Sequence, residues 1–342
     1  MMVVEKIGQV GFLTLNRLKA YNALSVEMII TMLEQLRTWE HDDAIQAIVI
    51  RSQSPDVFCA GGDIKALYQN KHLPLDELMV FFHQEFELNY LLHVYPKPVI
   101  SLLNGLTMGG GVGIGMHNHF SIAGENIVFG MPETAIGLFP DIGSSHVLNR
   151  LPACWRNAVG VFGEKLNIHQ VSQYHLAYAH IPVAFWDGFL DNLTHLLWQQ
   201  PFEDVASLIK QFNQEIVPSA YPCESFEMLG VSSFSDLMDH VEHSDEAYFA
   251  KLREKIPQLS PLSMYVTFEK LKFSEGMNLA NSLKLDYQLL YHFMRESDFF
   301  EGVRAMMIDK DKHPHWKFKT WQDVPYSVVQ EFIYHPCIEL AL

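Results

Sequence analysis

Three consecutive glycines, Gly109, Gly110 and Gly111, follow the apolar run 98–103 after Asn104-Gly105-Leu106-Thr107-Met108 and stand ahead of Val112-Gly113-Ile114-Gly115. Each glycine costs a helix about 1 kcal/mol relative to alanine, so three together mark a place where backbone must come close to other backbone or to a ligand. The run 98–103 follows Lys97-Pro98, where proline ends the preceding helix, and reads as a buried strand. A strand that passes through a glycine-rich turn into a helix is a building block of layered α/β architecture. The same pattern occurs upstream, where the buried strand 44–51 leads into the loop 52–63 with Phe58-Cys59-Ala60-Gly61-Gly62-Asp63-Ile64. Its two glycines permit close approach to a ligand and Asp63 can cap the following helix, although an ordinary tight turn accounts for the same residues.

Around these turns, residues 10–15 read as a strand, 26–39 as an amphipathic helix, 75–93 as a long helix, and 120–122 and 127–129 as short strands. From about Leu151 the periodicity becomes helical, over 166–179, 183–198, 202–212, 234–240, 245–256 and 260–273, with 218–225 as a surface connection. The expected division is an α/β core over 1–200 and a helical carboxy-terminal region over 201–342. A chain of 342 residues has room for a sizeable core of this kind.

Nucleotide-cofactor readings of the glycines are weak, because no complete G-x-G-x-x-G register is present and no Gly-Lys-Ser/Thr follows. Lys and Arg total 24 against 40 Asp and Glu, and a net charge of −16 repels a nucleic-acid backbone. The longest apolar runs fall far short of the roughly 18–20 residues that cross a bilayer, so no membrane span is expected. The alternating pattern begins at Val10 with no basic leader, apolar h-region or transit-like segment before it, which gives a cytoplasmic expectation. Cys59, Cys154, Cys223 and Cys337 are scattered without a C-x-x-C pair, and the 17 histidines include no H-E-x-x-H, so reduced thiols and no metal are expected. Gly143-Ser144-Ser145-His146 has the wrong spacing for a nucleophile elbow.

One further stretch carries chemistry: Met131-Pro132-Glu133-Thr134-Ala135-Ile136-Gly137-Leu138-Phe139-Pro140-Asp141. Two carboxylates eight residues apart, among apolar residues and bends at Gly137 and Pro140, can face one pocket and acquire raised pKa values useful for proton transfer. The alternative is that Glu133 caps a turn and Asp141 caps a helix beginning near Ile142.

Taken in order, the two glycine turns and the carboxylate stretch resemble the crotonase (enoyl-CoA hydratase/isomerase) superfamily. The resemblance implies a crotonase-like spiral of ββα units, an acyl-CoA substrate, and an oxyanion hole from the N–H groups of Gly62 and Gly110. Hydratases of that superfamily carry a first glutamate shortly after the second oxyanion glycine, and Gly113 stands there in this chain. The run from Met131 to Asp141, the stretch from Asp298 to Asp311 and Ser260-Pro261-Leu262-Ser263 are instead similar to the 3-hydroxyisobutyryl-CoA hydrolase family. That likeness implies hydrolysis of a 3-hydroxyacyl-CoA thioester in valine catabolism, with Glu133 and Asp141 catalytic and Glu85, Gly110, Glu133 and Asp141 contacting substrate. Arg17, Lys19, Ala60 and Lys65 match CoA-binding positions. No cofactor is implied, CoA being part of the substrate, and a homo-oligomer is left open. Ser144 and Ser145 depart from glycines common in that family. A hydratase- or isomerase-type acyl-CoA enzyme and a non-catalytic acyl-CoA binder are the rival readings.

Overall fold

A computed structural model describes residues 1–296, 298–335 and 338–342; Cys337 lies outside the described residues. In chain order, β1 (Met2–Ile7) and β2 (Val10–Leu15) precede α1 (Val26–Glu40), β3 (Ala47–Ser52), β4 (Val57–Cys59), α2 (Ile64–Gln69) and α3 (Leu75–Val94). Then come β5 (Val99–Leu103), β6 (Leu106–Met108), α4 (Gly110–Met116), β7 (Phe120–Ala123), β8 (Val128–Gly130), α5 (Ser144–Leu148) and α6 (Ala153–Gly160). The chain continues through β9 (Lys165–Leu166), α7 (Ile168–Gln173), β10 (Ala179–His180), α8 (Trp186–Thr194) and α9 (Pro201–Phe212). It ends with α10 (Phe234–His243), α11 (Ala247–Lys255), α12 (Pro261–Phe273), α13 (Leu279–Glu296), α14 (Phe299–Val303) and α15 (Tyr326–Tyr334).

Two sheets alternate along the chain. One has the order β1-β2-β3-β5-β7-β10 and the other β4-β6-β8-β9. Successive strands therefore go to different sheets, β3 to the first and β4 to the second, then β5 and β6, then β7 and β8, each beside its predecessor. Parallel pairing, Ile48 with Val99, Ile100 with Phe120, Val57 with Leu106, makes each strand–strand–helix passage one turn of a spiral. The β1–β2 hairpin is antiparallel and closes the edge.

The residues fall into two compact units that interleave along the chain. The first comprises Met1–Asp63, Gln84–Phe129 and Leu166–Ser219, so α9, which the sequence grouped with the carboxy-terminal helices, belongs to it. Alternate residues of its large sheet, Val10 and Phe12, Ala47 and Val49, Ile100 and Leu102, pack against Phe189, Leu193, Val205 and Leu208 of α8 and α9. Each such side chain contributes about 1.5–3 kcal/mol when removed from water. On the strand β2, Gly11 makes room for a neighbour: a Cβ there would fall 2.7 Å from the ring of Trp39 on α1. Ser25 caps α1 by accepting the Met28 N–H.

The second unit comprises Ile64–His83, Gly130–Lys165 and Ala220–Leu342. Its α12 is buried on nearly all sides, as a helix at the centre of a bundle must be. Ser260 caps α12 and Pro261 occupies its first turn. On α6, a Cβ at Gly160 would fall 2.6 Å from Leu271, so the missing side chain lets α6 and α12 pack closely.

Several sequence expectations need correction. Residues 166–179, expected as one helix, form β9, α7 and β10; an Asn167–Gln170 capping box starts a short helix, and His175 at φ +51 ends the segment's helical course. Over 183–198 a 3₁₀ turn, Val183–Phe185, precedes α8, which stops at Thr194. Strands β4 and β6, three residues each, were hidden in the loop 52–63 and the glycine turn, where no period can register. Strand β1 and helix α13 were not anticipated. No helix among the described residues is long and apolar enough to cross a membrane.

Candidate active site

The first unit brings the two glycine turns together. Gly61, at φ +111, accepts the Leu24 N–H at 2.8 Å, and the Asp63 N–H donates to the Leu24 carbonyl at 2.9 Å. Extended backbone alternates, so the Gly62 N–H between them points the other way. On that side lies Gly110: a Cβ built there would be 3.2 Å from Gly62 N, and one built on Gly61 would be 3.5 Å from Gly110 N. Gly110 opens α4, where first-turn N–H groups have no partner within the helix. Two amides expected from the sequence to act together are thus neighbours, and only glycine at 110 fits.

Glu85 and Asn89, one turn apart on α3, line the same glycine face. Glu85 is 2 % exposed, and a Cβ on Gly110 would collide with its Oε1. A Cβ on Gly113 would fall 2.7 Å from both Nδ2 and Oδ1 of the fully buried Asn89. A side chain at position 113 would therefore require the Asn89 amide to move. The neighbouring Cys59 thiol is buried, and burial above all pushes its pKa up to about 12, so it stays protonated.

Of the expected CoA-binding residues, Arg17 is engaged: its guanidinium lies 2.6 Å from Asp63 Oδ2 and donates to the Ala23 carbonyl at 2.9 Å. Lys19 is exposed on the 3₁₀ turn Leu18–Ala20 of the same unit, and Ala60 donates its N–H to the Tyr21 carbonyl. Lys65 is exposed on α2, in the second unit.

In the second unit, Glu133 and Asp141 are both 6 % exposed. Glu133 opens a 3₁₀ turn, Glu133–Ile136, closed by Gly137 at φ +68. The seat of this turn explains two of the distant sequence stretches. Ser260 N–H donates to the Thr134 carbonyl at 3.0 Å, and Ser260 Oγ donates to Asp298 Oδ2 at 2.7 Å. A Cβ at Gly137 would lie 2.5 Å from the Asp298 carbonyl oxygen, and one at Gly302 would strike Ile136. Residues 260–263 and 298–302 hold the Glu133 turn in place.

Asp141 does not cap the next helix: α5 starts at Ser144, its cap is Gly143, and no side chain bonds there. Its carboxyl is instead pushed up to about 7, first by burial and then by the Asp286 carboxylate, while Lys270 opposes. Asp286 is raised by burial to about 6, against the pull of Lys270 2.7 Å away. Sequence reasoning missed this Lys–Asp pair. The signal was present in the apolar stripe Leu283, Asp286, Leu290 of α13, which carries one charged member, and in Lys270 beside Phe268 and Leu271.

Comparison with known proteins settles the family. The family model described as enoyl-CoA hydratase/isomerase matches residues 10–333. The chain belongs to the enoyl-CoA hydratase/isomerase family. This family member is 32 % identical to a protein of Danio rerio named 3-hydroxyisobutyryl-CoA hydrolase, mitochondrial, over 96 % of this chain and 88 % of that one. It is also 32 % identical to the Homo sapiens protein of the same name, over 92 % and 84 %. Among solved structures, one titled as an enoyl-CoA hydratase from Rhodobacter sphaeroides superposes with a TM-score of 0.86 at 29 % identity, over 97 % of both chains. The vertebrate relatives are named mitochondrial and so lend no support to a cytoplasmic setting.

Proposed function

We propose that this enoyl-CoA hydratase/isomerase family member hydrolyses 3-hydroxyacyl-CoA thioesters, foremost 3-hydroxyisobutyryl-CoA, to the free acid and CoA. The observation that carries this reading is that position 113 is a glycine with the Asn89 amide against it, so the first of the two glutamates used in water addition is missing. The relatives' names point the same way. In the proposed reaction the N–H groups of Gly62 and Gly110 stabilise negative charge on the thioester oxygen. Glu133 either takes a proton from the water that attacks the carbonyl, or attacks the carbonyl directly to give an anhydride that water then hydrolyses. In both routes the C–S bond is replaced by a C–O bond to water's oxygen or the carboxylate's, and a proton from water ends on the departing thiolate. Asp141, a carboxyl raised to about 7 and so able to hold or release a proton near neutrality, can hydrogen-bond the 3-hydroxyl or orient the water. Arg17, Lys19, Ala60 and Lys65 remain the proposed CoA contacts, and valine breakdown the proposed setting.

Product analysis tests the reading. With 3-hydroxyisobutyryl-CoA, free thiol and 3-hydroxyisobutyrate should appear in equal amounts, and crotonyl-CoA should not be hydrated. Hydration of crotonyl-CoA without thiol release would instead establish the hydratase alternative. Binding of both esters without turnover would mark a silent acyl-CoA binder.

A further inference from the structure

The turn that carries Asp141 holds a conformation it would not adopt alone. Ile142 has φ +56 and Gly143 φ +71, so a β-branched residue sits in the left-handed region. Such a backbone persists only where its surroundings over-determine it. Here they do. Before Ile142, the Pro140 carbonyl accepts from Lys270 Nζ and, at 2.7 Å, from Ser144 Oγ. After it, the Gly143 N–H donates to Asp286 Oδ2 at 2.8 Å. Lys270 Nζ also lies 3.3 Å from Ser144 Oγ and 5.2 Å from the centre of the Phe139 ring. Lys270 and Asp286, joined to each other at 2.7 Å, thus grip the turn on both sides of Ile142 from α12 and α13.

We propose that Lys270 and Asp286 are positioning residues for Asp141: by gripping the Pro140 carbonyl and the Gly143 N–H they clamp the left-handed turn at Ile142 and Gly143 that carries it. The proposal rests on the reading of Asp141 as a site carboxylate. The charged groups facing Asp141 are Asp286 from α13, which opposes its ionisation, and Lys270 from α12, which favours it; burial opposes ionisation most, and the Asp141 backbone N–H favours it. Ser144 becomes part of the clamp through its hydroxyl. A pair that merely props the fold would lower turnover without moving the titration of Asp141.

The test is ¹³C-carboxyl NMR on protein labelled at aspartate, with the Asp141 signal assigned by its loss in Asp141→Asn, beside the pH profile of kcat/KM for thioester hydrolysis. In Asp286→Asn the amide still accepts the Gly143 N–H while Lys270 keeps its charge. The Asp141 titration should then fall by about one pH unit or more, with the matching inflection of kcat/KM moving alongside. An unmoved titration overturns the proposal. Should Asp286→Asn fail to fold, the neutral pair Lys270→Met with Asp286→Asn, which leaves no buried charge unpaired, tests the clamp through its kinetics, because the two lost charges pull the Asp141 titration in opposite directions. In that variant a kcat reduced about tenfold or more at little-changed KM supports the clamp, and an unchanged kcat overturns it. If the wild type releases no thiol from any ester while the NMR titration falls in Asp286→Asn, the clamp stands and the proposed reaction fails.

Discussion

Lys270 Nζ sits 2.7 Å from Asp286 Oδ1, and neither side chain is exposed at all. Two charges taken out of water are costly, and what holds them there is each other together with the Pro140 carbonyl and the Gly143 N–H. The pair is therefore bound to the conformation of one short turn, and stability and turnover should both respond when it is altered.

Removing one partner should be worse than removing both charges. Lys270→Met leaves Asp286 buried without its cation and should cost about 3–5 kcal/mol of unfolding free energy. Lys270→Met with Asp286→Asn should lose less, since Asn still accepts from Gly143. Urea unfolding of both variants checks this; a double variant no more stable than the single would contradict it.

The pH dependence of stability has a definite sign. The Asp141 carboxyl is raised from the ordinary aspartate value to about 7, so the folded protein retains a proton that the unfolded chain releases. The stability it contributes is fully present below the unfolded value and is lost as pH rises through about 7, and Asp286, raised to about 6, adds the same sign. Thermal melts of the wild type should fall from about pH 5 to about pH 8, and less so for Asp141→Asn, which should be the more stable of the two only at the higher pH. Parallel slopes for the two proteins would contradict this.

Gly113 should tolerate no side chain while Asn89 faces it. Gly113→Ala places a Cβ 2.7 Å from the Asn89 amide and should cost about 1–3 kcal/mol, largely recovered when Asn89→Ala is added. Denaturation of the single and double variants measures the coupling. Gly113→Glu should gain no hydration of crotonyl-CoA.

Gly110→Ala probes the oxyanion donors. Its methyl would crowd Glu85 Oε1 and the Gly62 N–H, and kcat should fall about 10²–10³-fold with far-ultraviolet circular dichroism unchanged. Normal turnover in this variant would show that the methyl is accommodated without disturbing the Gly62 and Gly110 N–H groups.

Much of this was legible in the sequence, and the limits have physical reasons. Strand β2, helix α1 and strand β5 carry enough alternating or helical periods to be recognised, and the glycine turns declared themselves because glycine is costly elsewhere. Glu133 and Asp141 were found from their apolar surroundings, and both are buried. Strands of two or three residues, such as β10 and β4, contain no period to read. The Lys270–Asp286 pair joins the turn before α5 to helices far along the chain, and pattern within one segment gives no distance between segments. Asn89 was passed over because one polar residue among several on a long helix reveals its partner only when α4 is packed against it.

The most direct test of the account is thiol release from 3-hydroxyisobutyryl-CoA by the wild type beside Glu133→Gln. The account predicts rapid release by the wild type and a loss of about three orders of magnitude or more in kcat for the folded variant, as expected when a nucleophile or general base is removed. Release by Glu133→Gln at the wild-type rate, or none by either protein, would contradict it.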